Sequence, residues 1–293
     1  MPLLTSEAHE YAPACLAEAN PGSPRRNADA RYCFDVNEDH LRALASNCGG
    51  YYVAGARATG RPWQIDDDLM LSDLGLPVAA PPNNASLTRR PDDSERIARR
   101  TLEFFSASPG GGFQVWSLWP SLGLSPHGFT SFRTPCMVRD ADGEGETPPR
   151  ELEILEVADD AGVEETWPIL NEAFLGGRSP SRLWDDRVLS DDFRIWLGRV
   201  DGRAVTTAAA FIGFGYVGIY AVATLPDTRG RGYGEAITWA ATLCRPDLPA
   251  TLQASEMGRP IYERMGFRTV ADFTVWTRED RVLDTVTTDA SWS

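Results

Sequence analysis

Ile219-Tyr-Ala-Val-Ala-Thr-Leu-Pro-Asp-Thr-Arg-Gly-Arg-Gly-Tyr-Gly-Glu-Ala-Ile-Thr238 reads as a buried strand, a tight turn and the first turns of a helix. Ile219 to Leu225 is a short apolar, β-branched run, the pattern of a strand covered on both faces. Pro226 and Asp227 stop it, because proline cannot donate to a sheet ladder. Arg229 to Gly234 then places three glycines within five residues, Gly230, Gly232 and Gly234. Inside a helix each would cost about 1 kcal/mol relative to alanine. They make sense where main chain must lie against a ligand with no Cβ in the way. The expected helix, Glu235 to Cys244, sets Ala236, Ile237, Ala240, Ala241, Leu243 and Cys244 as its apolar positions. Free N–H groups at its start, with the helix dipole, form an anion site. No Gly-Lys-Ser/Thr follows the glycines, so the stretch is not a P-loop, and Arg231 makes it a poor dinucleotide fingerprint.

Working outward, Thr251 to Ala254 reads as a further strand, followed by Ser255, Gly258 and Ile261-Tyr262-Glu-Arg-Met-Gly266-Phe267. Pro260 suits a helix start and Gly266 the left-handed position after a helix end. In isolation, Arg229-x-x-Gly232-x-Gly234 could be only a glycine-rich turn before a core helix. Together the two segments, in this order and at this distance, resemble the coenzyme-binding signatures of the GNAT superfamily of N-acetyltransferases. The resemblance implies an α/β (α+β) acyltransferase fold with a mixed central sheet, acetyl-CoA as co-substrate, and no metal. It implies that the main chain of Gly230, Arg231, Gly232, Tyr233, Gly234 and Glu235, with the Arg229 and Arg231 charges, grips the pyrophosphate. It also implies that the main chain of Val222, Ala223 and Thr224 faces the pantetheine and thioester, on a strand that splays from its neighbour. Tyr262 would protonate the leaving thiolate, unless it is only packed beside Phe267, and Ser255 stands where relatives often carry an asparagine that contacts the pantetheine.

The general base departs from the family pattern. Many relatives carry a glutamate on the opening strand, but Tyr216 to Leu225 holds no carboxylate, nor does Arg203 to Gly215. Glu256, at the end of the next strand, is the candidate, with Asp185, Glu172 or a water chain as alternatives. An amine of low pKa would need no strong base.

The chain has 293 residues, room for two modest domains, with 42% hydrophobic and 24% charged residues as in ordinary globular proteins. A formal net charge of −14 disfavours nucleic acid and anionic membranes as partners and attracts a cationic amine only weakly at cellular salt. Five scattered cysteines, Cys15, Cys33, Cys48, Cys136 and Cys244, have no metal spacing and suit a reducing cytoplasm rather than a disulfide framework. No signal-peptide pattern or membrane-length apolar run is visible.

In chain order, a short helix is expected near Pro13 to Ala19, a strand at Tyr32 to Asp35, a helix from Glu38 to Asn47 closed by Gly49-Gly50, and a strand at Tyr51 to Ala56. Asp66-Asp-Asp68 is read as a solvated loop rather than a metal site. Further elements are a strand near Asn84 to Arg89, a helix from Asp92 with Ile97, Leu102, Phe104 and Phe105 buried, strands at Phe113 to Trp119 and Pro135 to Arg139, and His127 in a turn. Residues 1–140 thus alternate strands and helices without an Arg-x-x-Gly-x-Gly, as a worn second copy of the same fold or an unrelated α/β cap. Residues 141–150 are the linker, 151–280 the catalytic unit and 281–293 a tail. The catalytic unit should open with a strand at Leu152 to Val157 and a helix at Val163 to Phe174, and carry a hairpin through Asp201-Gly202. Ser179 to Asp192 would cover the acceptor site. The expected activity is N-acetylation of a small-molecule amine; an acyl-CoA sensor with little turnover and a protein amine acetyltransferase are the alternatives. Oligomeric state has no signature in the sequence.

Overall fold

The computed structural model describes residues 36–76, 81–108, 112–141, 143–177 and 182–279. The elements expected at Pro13 to Ala19 and Tyr32 to Asp35, and the tail, lie outside them. The first half contributes α1 (Glu38–Ala58), β1 (Trp63–Ile65), β2 (Leu69–Asp73), β3 (Asn83–Leu87), α2 (Ser94–Phe105), β4 (Gly112–Ser117) and β5 (Thr130–Arg139). The second contributes β6 (Glu153–Glu156), α3 (Asp160–Leu175), β7 (Phe193–Val200), β8 (Arg203–Gly213), β9 (Tyr216–Thr224), α4 (Tyr233–Thr242), β10 (Ala250–Gln253), α5 (Arg259–Arg264) and β11 (Arg268–Glu279).

All eleven strands join one mixed sheet in the order β1-β2-β3-β4-β11-β5-β10-β9-β8-β7-β6. The two halves share a connectivity. In each, an antiparallel hairpin (β1–β2, β7–β8) is followed by an antiparallel third strand (β3, β9). A helix (α2, α4) then crosses to a parallel fourth (β4, β10). The last strands are exchanged. β5 of the first half lies between β10 and β11, and β11 of the second lies between β4 and β5. Thr134 on β5 also donates its hydroxyl to the Ala254 carbonyl at 3.0 Å. Residues 143–152 run across the outer face of α4, where Gly145 lies against Leu243 and Trp239.

Local chemistry explains most of the elements. Asp201 and Gly202 both have positive φ, 50° and 78°, as a tight two-residue hairpin requires. α2 starts where the Asp93 carboxylate accepts from the Glu95 and Arg96 N–H groups, and it buries Ile97, Ala98, Thr101 and Phe105. α1 departs from expectation. It does not stop at Gly49-Gly50 but runs through them to Ala58, so Tyr51 to Ala56 is helix rather than strand. Both glycines are buried at a close crossing. A Cβ on Gly49 would lie 2.8 Å from Ser86 Cβ and 2.9 Å from Met70 Cβ, and one on Gly50 would lie 2.8 Å from the Phe211 ring. Close packing on the sheet, not helix termination, selects glycine here.

Asp66 to Asp68 also differs from a solvated loop. The Asp68 side chain is only 4% exposed and is held by Arg96 at 2.5 Å and Arg100 at 2.7 Å. Burial pushes its carboxyl upward, but the two guanidinium groups outweigh that and hold it below the usual range. Arg100 also pairs with Asp66. No group of three or more His, Cys, Asp or Glu among the described residues is placed to hold a metal ion. No helix among them is long and apolar enough to cross a membrane.

Two outcomes test this packing. Gly49→Ala should lower stability by about 1–3 kcal/mol through overpacking, although helix propensity alone predicts a gain of about 1 kcal/mol. Chemical denaturation decides the sign. Burial also weakens the acidity of four side chains, raising the pKa values of Tyr51, Tyr52 and Tyr220 well above 10 and that of Cys136 to about 12. In the unfolded chain these groups ionise first, near 8.5 for thiols and 10 for phenols, so the unfolded state binds fewer protons as pH rises. Their contribution is complete below about pH 8.5 and lost above it. Thermal midpoints should therefore be flat from about pH 7 to 8.5 and fall steeply by about pH 10.5, and a flat profile throughout would contradict this burial.

Candidate active site

β9 is paired with β8 along its length, from Tyr216↔Gly213 to Thr224↔Thr206. On its other side β10 follows it only as far as Leu252↔Ile219. From Tyr220 to Thr224 no strand among the described residues pairs with that second edge of β9, as a splay there requires. At its inner end Ala221 has φ 51°, and the register with β8 shifts between Thr207 and Ala209. A non-glycine residue in this region stores strain of about 1–3 kcal/mol, and such strain concentrates at functional sites.

The strand leads into the glycine turn. Gly230 and Gly232 have φ 76° and 80°, and Gly232 is the residue before the first turn of α4. A Cβ on Gly234 would lie 3.1 Å from Thr224 Oγ1, so the helix start sits directly against the strand end. The first bond into α4 is from the Ala236 N–H to the Gly232 carbonyl at 3.0 Å. The main-chain N–H groups of Gly230 to Glu235 donate to no protein group among the described residues. Six consecutive amides at a helix start without a side-chain cap can receive an anion. Arg229 braces the turn by donating from Nε to the Thr224 carbonyl at 3.1 Å, and Arg231 is exposed beside it. Two side chains of the turn are structural instead. Tyr233 is buried and donates to Glu151 at 3.0 Å, and Glu235 pairs with Arg264 of α5 at 2.9 Å.

Tyr262, on α5, packs against the same apolar cluster as Val222 of β9. Its ring meets Phe267 edge-on at 6.1 Å and leaves no room for a side chain at Gly258. Its hydroxyl bonds to no described residue, and burial pushes its phenol up to about 12. It is therefore a proton donor throughout the neutral range. Ser255 is committed to the turn before α5, accepting from the Gly258 N–H at 3.1 Å. Glu256 lies exposed on that turn. Asp185 is gripped by Arg187 at 2.7 Å, and that hydrogen bond holds its carboxyl below the usual range, which disfavours it as a base. Glu172 is exposed on α3.

The sequence reading missed what supports β9 from beneath. α1 lies across it, with Tyr51 stacked on Tyr220 at 4.1 Å between ring centroids and Asn47 bonded to the Tyr220 hydroxyl at 2.6 Å. The available signal is the pair Tyr51-Tyr52 beside two glycines, whose local pattern is that of a strand. The first half has an equivalent helix start at α2, but the carboxylate of Asp93 fills it, bonded to two amides at 2.9 and 3.2 Å.

The open strand edge, the uncapped amides and the glycines that keep Cβ atoms away suit a nucleotide diphosphate with an extended tether. Neither a protein-family model nor a curated protein matches the chain. Solved structures do. A GCN5-related N-acetyltransferase from Kribbella flavida aligns with TM-score 0.58 at 20% identity, over 82% of this chain and 97% of its own. One from Sphaerobacter thermophilus aligns with TM-score 0.51 at 16% identity, over 84% and 96%. A GCN5-related N-acetyltransferase-like protein from Streptococcus suis aligns with TM-score 0.50 at 16% identity, over 81% and 98%. Coverage above 80% in each case is more than either half could supply, so the likeness spans both. The chain has the fold of the GCN5-related N-acetyltransferases.

Proposed function

We propose that the protein is an acetyl-CoA-dependent N-acetyltransferase that acetylates the amine of a small molecule by direct transfer in a ternary complex. The observation that carries this reading is the continuity of the open edge of β9, Tyr220 to Thr224, with the unpartnered amides of Gly230 to Glu235. Those amides, with the charge of Arg229 and Arg231, would hold the diphosphate, and the main chain of Val222, Ala223 and Thr224 would lie along the tether. Bound acetyl-CoA supplies an acetyl group activated as a thioester. The chain's own contributions are to orient the reactants, to donate main-chain hydrogen bonds at the acyl carbonyl and to deliver the Tyr262 proton to the departing sulfur. Ser255, already bonded to Gly258, would at most lend its remaining hydroxyl valence to the pantetheine. Glu256 is free to take the amine proton, directly or through water. With no carboxylate on β8 or β9, amines that arrive neutral are the favoured acceptors.

The first half is best read as a worn copy of the same unit, supported by its matching connectivity and by Asp93 standing where an anion would bind. One coenzyme per chain follows. Free thiols at Cys48, Cys136 and Cys244 support a reducing, cytoplasmic setting. The missing strand carboxylate favours a second reading, an acyl-CoA sensor with little turnover. Thiol release from acetyl-CoA across a panel of hydrazines, aryl amines and alkyl amines separates the two, since a sensor would bind acetyl-CoA and release none.

Gly232→Val should raise the Michaelis constant for acetyl-CoA at least about tenfold, because φ 80° is strained for valine and its side chain would crowd the cradle. A normal value would remove the cradle from the account. Tyr262→Phe should cut kcat at least about tenfold and leave acetyl-CoA affinity nearly intact. With the wild-type phenol up to about 12, kcat should show no loss of an essential acid below about pH 10. An alkaline limb near pH 9 that disappears in Tyr262→Phe would contradict the burial, and unchanged turnover in the variant would contradict the role.

A further inference from the structure

Asn47 of α1 is completely buried, and its whole amide is used by the second half of the chain. Its Oδ1 accepts from the Tyr220 hydroxyl at 2.6 Å. Its Nδ2 donates to the carbonyls of Gly213 at 2.8 Å, and of Phe211 and Tyr216 at 3.3 Å, so one side chain ties the turn between β8 and β9 to the middle of β9. The sequence leaves room for this. A Cβ on Gly218 would overlap both Asn47 Oδ1 and the Tyr220 ring. Tyr51, one helical turn after Asn47, closes the arrangement by stacking on Tyr220 at 4.1 Å and on Phe193 at 5.1 Å.

The position of this tie is what gives it consequence. Tyr220 is the first residue of β9 beyond its last partner on β10, and the next residue, Ala221, carries the strained φ of 51°. From here outward β9 is held by β8 on one side only. A strand with one free edge can twist about its axis, and a bulge changes which way the following amides face. The Asn47–Tyr220 bond fixes the strand at the residue before that bulge.

We propose that Asn47 and Tyr220 are positioning residues for acyl transfer, through which the first half of the chain holds the bulge at Ala221 so that the amides on the open edge of β9 beyond it face the acyl carbonyl. This rests on the acetyltransferase reading above. It gives the first half a part in the chemistry although it contributes no coenzyme cradle of its own. Tyr220→Phe removes one hydroxyl and keeps the ring stacked on Tyr51. Asn47→Ala removes the tie from the other side.

The test is the infrared carbonyl band of acetyl-CoA labelled with carbon-13 at the acyl carbon, bound to the full chain, read beside calorimetric affinity and circular dichroism. Donated hydrogen bonds lower the band, so wild type should shift it below its position in water. In Tyr220→Phe roughly half or more of the shift should be lost, with affinity within about threefold of wild type, because the diphosphate cradle is untouched. With an acceptor from the amine panel, kcat should fall at least about tenfold while the acetyl-CoA Michaelis constant stays within about threefold. A merely structural role would weaken affinity and the folded fraction and leave the band of the bound molecule alone. If both variants are folded and bind acetyl-CoA with the wild-type band, the proposal is overturned while the acetyltransferase reading stands. If wild type does not bind acetyl-CoA, both are overturned.

Discussion

The structure depends on the mutual insertion of two strands. β5 completes the sheet of the second half and β11 completes that of the first, and the two pair with each other from Arg268↔Val138 to Thr277↔Thr130. Without this exchange β10 and β4 would each end in an open row of amide and carbonyl groups. Each half therefore lends the other its last strand, and among the described strands the outermost are β1 and β6. α1 can lie over both halves because they form one surface: Gly49 approaches β2 and β3 while Asn47 and Tyr51 reach β9.

Against that continuous sheet, the candidate site is a local failure of pairing. Pairing of β9 with β10 stops after Ile219 and Leu252, and the turn into α4 leaves six amides without partners among the described residues. Helix-start amides are met by side chains, by water or by a ligand, and these, mostly on exposed or half-buried residues beyond the end of β9, are open to an anionic ligand. The contrast with α2 is instructive. The same strand–helix crossover there receives its anion from within, through Asp93, whereas α4 opens on glycine with no side-chain cap. One carboxylate thus distinguishes a self-contained helix start from one that can receive an anionic ligand.

Much of this was legible in the sequence, wherever local chemistry decides structure. The strand, turn and helix from Ile219 to Thr238, the Asp201-Gly202 hairpin and the acidic start of α2 all follow from residue type and spacing, and the coenzyme-loop resemblance correctly indicated the fold. What could not be read is decided at long range. Gly49-Gly50 carries the local sign of a helix end, yet the pressure on those positions comes from Ser86, Met70 and Phe211, distant in the chain. Asp68 reads as solvated until Arg96 and Arg100 of α2 close over it. The strand exchange has no local signature, since Thr130 to Arg139 and Arg268 to Glu279 are ordinary strands whichever partner they choose. Asn47 looked like the last residue of a short helix, and only the fold brings it to Tyr220. For the candidate catalytic residues, the sequence supplied Tyr262 and the cradle, but it named no base with a structural claim stronger than that of exposed Glu256.

The most direct test of the central claim, that the open edge of β9 and the amides behind it are the coenzyme site, is amide hydrogen exchange with and without acetyl-CoA. The account predicts new protection in peptides covering residues 220–235 and none in those covering 88–96, where Asp93 already occupies the helix start. Protection of the first-half segment, or no protection of residues 220–235 at saturating acetyl-CoA, would contradict it.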